Sequence, residues 1–143
     1  MVELKSAMLQ RFYGEWEFRR AGRRFPARND FDPFELKYAL GTLTLFDVLR
    51  DPVDFRYRLC GSITAARYGV DYTGRLLSEI PDATLRKVVR SHLDEVLERE
   101  EPVSRYYDRV MIDDWVIHGE VLALPLSRDD RVIDMVMTAS VYF

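Results

Sequence analysis

Cysteine is almost missing from this chain. Cys60 stands alone among 143 residues, which excludes an intrachain disulfide framework and any metal site built on several thiolates. It suits a reducing compartment. Histidine is nearly as scarce: His92 and His118 are the only two, and two histidines without a firm third ligand fall short of ordinary zinc coordination. Long apolar runs are lacking as well. No segment approaches the roughly 20 apolar residues that span a bilayer. The opening MVELKSAMLQRFYGEW has neither the unbroken apolar core nor the small-residue cleavage site of a secretory signal. Positive charge is not in excess; the formal net charge is −3, against the basic balance expected of a whole-domain nucleic-acid binder, and it offers nothing to an anionic membrane. There is no Gly-rich phosphate loop ahead of a helix and no GxSxG elbow. The expectation is a cytoplasmic protein without nucleic-acid or membrane partners.

What is present is an ordinary globular balance, 48% hydrophobic and 31% charged residues, in a length that fits one domain. Such a chain buries roughly two-thirds of its unfolded surface and supports a core without staples. Leu4, Met8, Leu9, Phe12 and Trp16 recur at helical spacing, predicting a helix from about Val2 to Arg20 that Gly22 breaks. An irregular charged connector follows, with Pro26 and Pro33 opposing helix. Asp32 and Pro33 then cap a short helix whose buried contacts are expected from Phe34, Leu36, Leu40 and Tyr38, ending at Gly41. The clearest helix is Asp82 to Glu100, with Leu85, Val88, Val89, Leu93, Val96 and Leu97 on one broad stripe and Pro102 marking its end.

Alternation and turn chemistry predict five strands. TLTLFDVLR and DFRYRLCG are joined by DPVD, and in the second Phe55, Tyr57 and Leu59 share one face while Arg56, Arg58 and Cys60 share the other. A small helix, SITAARYG, follows at once, then the turn VDYTG and a helical turn at LLSEI. The final strands run Val103 to Met111, Trp115 to Leu126 and Val132 to Phe143, separated by the Asp-rich turns IDD and SRDDR. Two strands, several helices, a long helix and three more strands describe an α+β domain, and a sheet with a helical cover makes a pocket.

The ordered set Trp16, Arg19, Gly22-Arg23, Pro26, Arg28, Asp30-Phe31-Asp32-Pro33, then Phe55-Arg56-Tyr57-Arg58-Leu59 and Gly61, then Asp71, Thr73-Gly74-Arg75, Glu101-Pro102-Val103 and Leu124-Pro125-Leu126 resembles a PAS domain, more narrowly a stand-alone PAS-like family of alphaproteobacteria. The resemblance covers nearly the whole chain. It implies a PAS fold: a five-stranded antiparallel sheet of order 2-1-5-4-3, the long helix across the inner face, and the N-terminal helix on the outer face or on a second subunit. It divides the chain into 1–40, a helix and charged connector packed on the domain, and 41–143, the sensory core. Its implied role is sensing or protein interaction in signalling. One departure is that Cys60 and Ser62 stand where the family's strand often carries an aliphatic residue and a threonine, which leaves the pocket chemistry open.

Six residues are candidates for lining a ligand pocket: Tyr57, Arg58, His92, Tyr106, Trp115 and His118. His92 lies in the apolar stripe of the long helix, where a sensing PAS domain can place a haem ligand; a partly buried histidine bonded to a neighbour is the preferred reading. His118 shares a strand face with Val116, Glu120 and Leu122 if alternation holds, and polar pairing there is favoured over metal. Cys60 reads as a packed residue at a strand end, since the helix signature of flavin photosensors is absent. Arg56 and Arg58 either pair with acids on the outer sheet face, the favoured reading, or face inward and bind a carboxylate or phosphate. The run Arg19, Arg20, Arg23, Arg24, Arg28 is flanked by Glu15, Glu17, Asp30 and Asp32, so intramolecular pairing is expected.

The function expected is therefore a non-catalytic, stand-alone PAS-type module in bacterial signalling, homodimeric, binding a small molecule or a signalling partner. The cofactor is not readable. The alternatives are a cone-shaped enzyme resembling ketosteroid isomerases, for which Glu120 is the only strand carboxylate to nominate, and a purely structural interaction domain without ligand.

Overall fold

The computed structural model describes residues 2–143. Three α-helices and five strands form in the order α1 (Ala7–Arg20), β1 (Thr44–Leu49), β2 (Asp54–Cys60), α2 (Ser62–Tyr68), α3 (Ala83–Arg99), β3 (Val103–Ile112), β4 (Trp115–Leu126) and β5 (Met135–Tyr142). The strands make one antiparallel sheet of order β2-β1-β5-β4-β3, as the resemblance implies.

The two long helices begin and end for local reasons. Asp82 Oδ1 accepts the N–H groups of Thr84 and Leu85, each at 3.0 Å, and starts α3. Glu100 adopts left-handed backbone, φ 54°, and stops it before Pro102 is reached. Ser6 caps α1, so this helix starts at Ala7 and not near Val2. The backbone N–H groups of Lys5 and Ser6 go instead to the Glu120 carboxylate, each at 2.8 Å. That long-range acceptor replaces the intrahelical bonds an earlier start would make.

Other expectations are corrected by backbone detail. Residues 37–42 form a 3₁₀ helix. Its period near three turns Leu36 and Ala39 inward and leaves Phe34 and Leu40 at the surface. In β2, Leu45 pairs with Leu59 but Phe46 pairs with Tyr57, so Arg58 is an extra residue in a bulge. The bulge changes the phase of the alternation. Leu59 becomes exposed and Cys60 buried, while Phe55 and Tyr57 stay inside. Strand β5 starts at Met135 and not at Val132, because the Asp129 carboxylate holds the N–H groups of Arg131 and Val132 in the turn. Those donors lower the Asp129 pKa to about 2.

Alternation along β4 and β5 sets up two faces. On the outer face Glu120, Leu122 and Leu124 meet α1, whose Leu9, Phe12 and Trp16 are buried. Trp16 Nε1 donates to the Pro125 carbonyl at 2.8 Å. On the inner face α3 lies over the sheet, tied to β3 by Arg105 Nη2 donating to Glu95 Oε1 at 2.9 Å. Gly61, between β2 and α2, is required by close approach: a Cβ there would stand 2.5 Å from the Gly41 carbonyl oxygen.

Candidate functional site

The inner face is not filled. A cavity of about 310 Å³ lies between the sheet, α3 and α2, at the small end of the range for ligand pockets. Its floor is Thr44, Phe46, Val121, Thr138 and Ser140; its roof is Leu85, Val88, Val89, His92 and Leu93 of α3. Thr64, Arg67 and Tyr68 of α2 close one end together with Tyr142, and Tyr107 and Trp115 stand toward the β3–β4 hairpin. Apolar stripe residues of α3 point here because i, i+3 and i+4 positions share one helix face.

His92 is buried within this wall. Its Nε2 is 2.8 Å from the Val103 carbonyl oxygen, which only accepts, so Nε2 carries the proton. Burial disfavours the imidazolium and lowers the pKa to about 4. The ring is therefore neutral near pH 7, with Nδ1 left as an acceptor. The preferred reading of His92, bonded to a neighbour, agrees with this geometry. A cavity of about 310 Å³ is small for a haem macrocycle. Among the described residues no cluster of three or more His, Cys, Asp or Glu is arranged to hold a metal ion.

Of the other five candidates, Trp115 lines the cavity. His118 borders it, but its ring lies 5.4 Å from that of Phe143 and its Nε2 is 3.7 Å from Asp108 Oδ1, beyond hydrogen-bond distance. Tyr57 stands behind the wall. It is fully buried, its ring centroid is 4.6 Å from that of Phe46, and its hydroxyl has no partner among the described residues. Burial pushes its phenol well above the usual range.

Arg58 and Tyr106 are corrections. Arg58 occupies the β2 bulge and is exposed, with Nε 3.0 Å from Asp47 Oδ2; Arg56 donates to the Gly74 carbonyl. Neither arginine lines the cavity. Tyr106 pairs across from Glu120 on the outer face, near Phe143 and Lys5. Its neighbour Tyr107 lines the cavity instead, a shift of one position in strand phase. Glu120 is a further correction for the isomerase alternative. Its carboxylate is spent on the α1 N-terminus at the outer face, and among the described residues no Asp or Glu lines the cavity. Cys60 is buried, and burial raises its thiol pKa. Arg19, Arg20, Arg23 and Arg24 pair with Glu15 and Glu35, Glu17, Asp30, and Glu100 respectively, in line with the pairing expected; Arg28, the fifth of the run, makes no ion pair among the described residues.

The hydroxyls of β5 and the α2 residues were missed as site residues. A signal existed: Thr138, Ser140 and Tyr142 recur at period two in a central strand, where one face would otherwise be apolar. Tyr142 OH lies 3.1 Å from Thr64 Oγ1, and the Arg67 guanidinium carbon stands 4.0 Å from the Tyr142 ring centroid.

A curved sheet carrying a cavity under one helix and a second helix across its back defines a PAS-like fold. The chain belongs to the PAS domain family, whose model matches residues 4–139. No curated protein matches it. Among solved structures, the histidine kinase ThkA in complex with the response regulator protein TrrA is similar over 75% of this chain, at 16% identity and a TM-score of 0.51. The chain spans 30% of that kinase. The PAS domain from Bordetella pertussis BvgS is similar over 77% of this chain and 86% of its own, at 15% identity and a TM-score of 0.47.

Proposed function

We propose that this chain is a sensory PAS module of the alphaproteobacterial PAS-like group, non-catalytic and cytoplasmic, that responds to a small molecule held in the inner-face cavity. The observation that carries this reading is the arrangement of β4. Its inner face borders the cavity, and its outer face holds α1 through Glu120 and Pro125. A ligand with different affinity for two positions of α3 against the sheet would shift their populations. Residues 1–40 would carry that shift from the core, 41–143, to a signalling partner. A kinase bound to a response regulator among the similar folds supports a partner of that kind. A second copy would cover Tyr106 and Phe143, which α1 leaves exposed.

A thermal-shift screen of small molecules, followed by native mass spectrometry, tests the reading. A ligand at 100 times its Kd adds about 2.7 kcal/mol of stability. The expected result is a stabilising hit whose effect disappears in Val89→Trp, which fills the cavity. A chain that gains no mass and no stability with any compound is a structural interaction domain.

A further inference from the structure

The chemistry of the cavity wall narrows what it holds. This inference rests on the reading of the cavity as a ligand site. Among the described residues the wall contains one guanidinium, Arg67, and no carboxylate. Arg67 differs from Arg23 and Arg24 of the connector, which pair with Asp30 and Glu100. It makes no ion pair or hydrogen bond among the described residues, and its guanidinium packs over the Tyr142 ring at 4.0 Å. Stacking occupies a face of the guanidinium and leaves its in-plane N–H donors free for a planar, bidentate acceptor. Thr64 Oγ1 and Tyr142 OH, bonded to each other at 3.1 Å, stand at the same end.

The opposite requirement holds along α3. Val88, Val89 and Leu93 present an apolar roof, and His92 is neutral and buried among them. A second charge on the ligand would lie there without a counter-ion. The volume, about 310 Å³, is that of about ten water molecules, which suits an unbranched chain or a single ring.

We infer that the cavity binds a small amphipathic monocarboxylate, its carboxylate on Arg67 and its apolar body beneath Val88, Val89 and Leu93.

Isothermal titration of the full chain with octanoate, octan-1-ol and the eight-carbon dicarboxylate suberate tests this. Octanoate is expected to bind at least tenfold more tightly than either of the others. Arg67→Gln, an exposed helix position whose change leaves the core intact, is expected to weaken octanoate at least tenfold and leave octanol unchanged. Octanol binding as tightly as octanoate, or octanoate unaffected by Arg67→Gln, overturns the anion assignment while the cavity reading stands. Suberate matching octanoate overturns the single-charge assignment. If neither octanoate nor octanol binds, the amphipathic assignment fails, and the compound screen above then decides separately whether the cavity takes any ligand.

Discussion

Successive residues of β4 enter two different environments. Glu120, Leu122 and Leu124 meet a helix that covers them completely; each is 1% exposed or less. Val121, between them in sequence, faces a void. On the outer face the Glu120 carboxylate accepts two backbone N–H groups and the Trp16 indole donates to a carbonyl. The inner face keeps small hydroxyls and unfilled volume where larger apolar side chains would gain dispersion contacts. Stability explains the first arrangement and not the second. A cavity opposite a tightly attached helix is the arrangement that the proposed ligand-responsive role requires.

The sharpest way to break this comparison uses one residue type on both faces. Trp16→Ala on the outer face is expected to cost about 3–5 kcal/mol, read as a fall in urea midpoint. Trp115→Ala at the half-buried cavity wall is expected to cost less than half of that, because less surface returns to water. Equal losses would mean that the inner face is packed as firmly as the outer.

Glu120→Ala comes next. It strands two backbone donors at the start of α1, for about 1–3 kcal/mol. Amide exchange in residues 5–10 should accelerate more than in α3. Protection lost equally in both helices would contradict a local anchor.

The third effect is pH dependence through His92. The unfolded chain takes up a proton near the ordinary value of 6.5, and the folded chain resists it until about 4. Stability is therefore unaffected by this group above about pH 6.5 and falls as the pH drops toward 4, by at most about 1.4 kcal/mol per pH unit. Glu95, on the same helix, has its carboxyl held low by Arg105 and Arg99, and its contribution is also lost on acidification. Urea midpoints at pH 6.5 and 5 should thus converge in His92→Gln relative to the parent. An unchanged slope would show that the ring is not dry.

The smallest effect belongs to Arg58→Ala. Its ion pair with Asp47 is largely solvated, and the loss should stay under about 1 kcal/mol with ligand affinity unchanged. A change in affinity would return Arg58 to the cavity and undo the distinction between the faces.

Much of the fold was legible from pattern. The stripe from Leu85 to Leu97 describes α3, and alternation locates β3 and β4. The candidate site was less so. His92 stood out as a polar residue in an apolar stripe, whereas Trp115 was nominated only from the aromatic pocket lining that the family resemblance implies. Tyr106 was nominated from the family resemblance, and which of the adjacent tyrosines faces the cavity is decided by the register of β3 on β4, where Tyr106 lies opposite Glu120 and Tyr107 opposite Gly119. Arg67 was invisible as a site residue, since nothing local distinguishes an arginine that meets Tyr142 from one that meets water.

The amino-acid order by itself determined where helices and strands form, because periodicity, caps and turn residues act over a few positions. Only the tertiary structure decided which side of each strand is sealed and which is hollow. Glu120 and Lys5 meet across 115 positions of sequence, and the partner that closes one face, the bulge that resets a strand and the void left beneath α3 all arise from packing between distant segments.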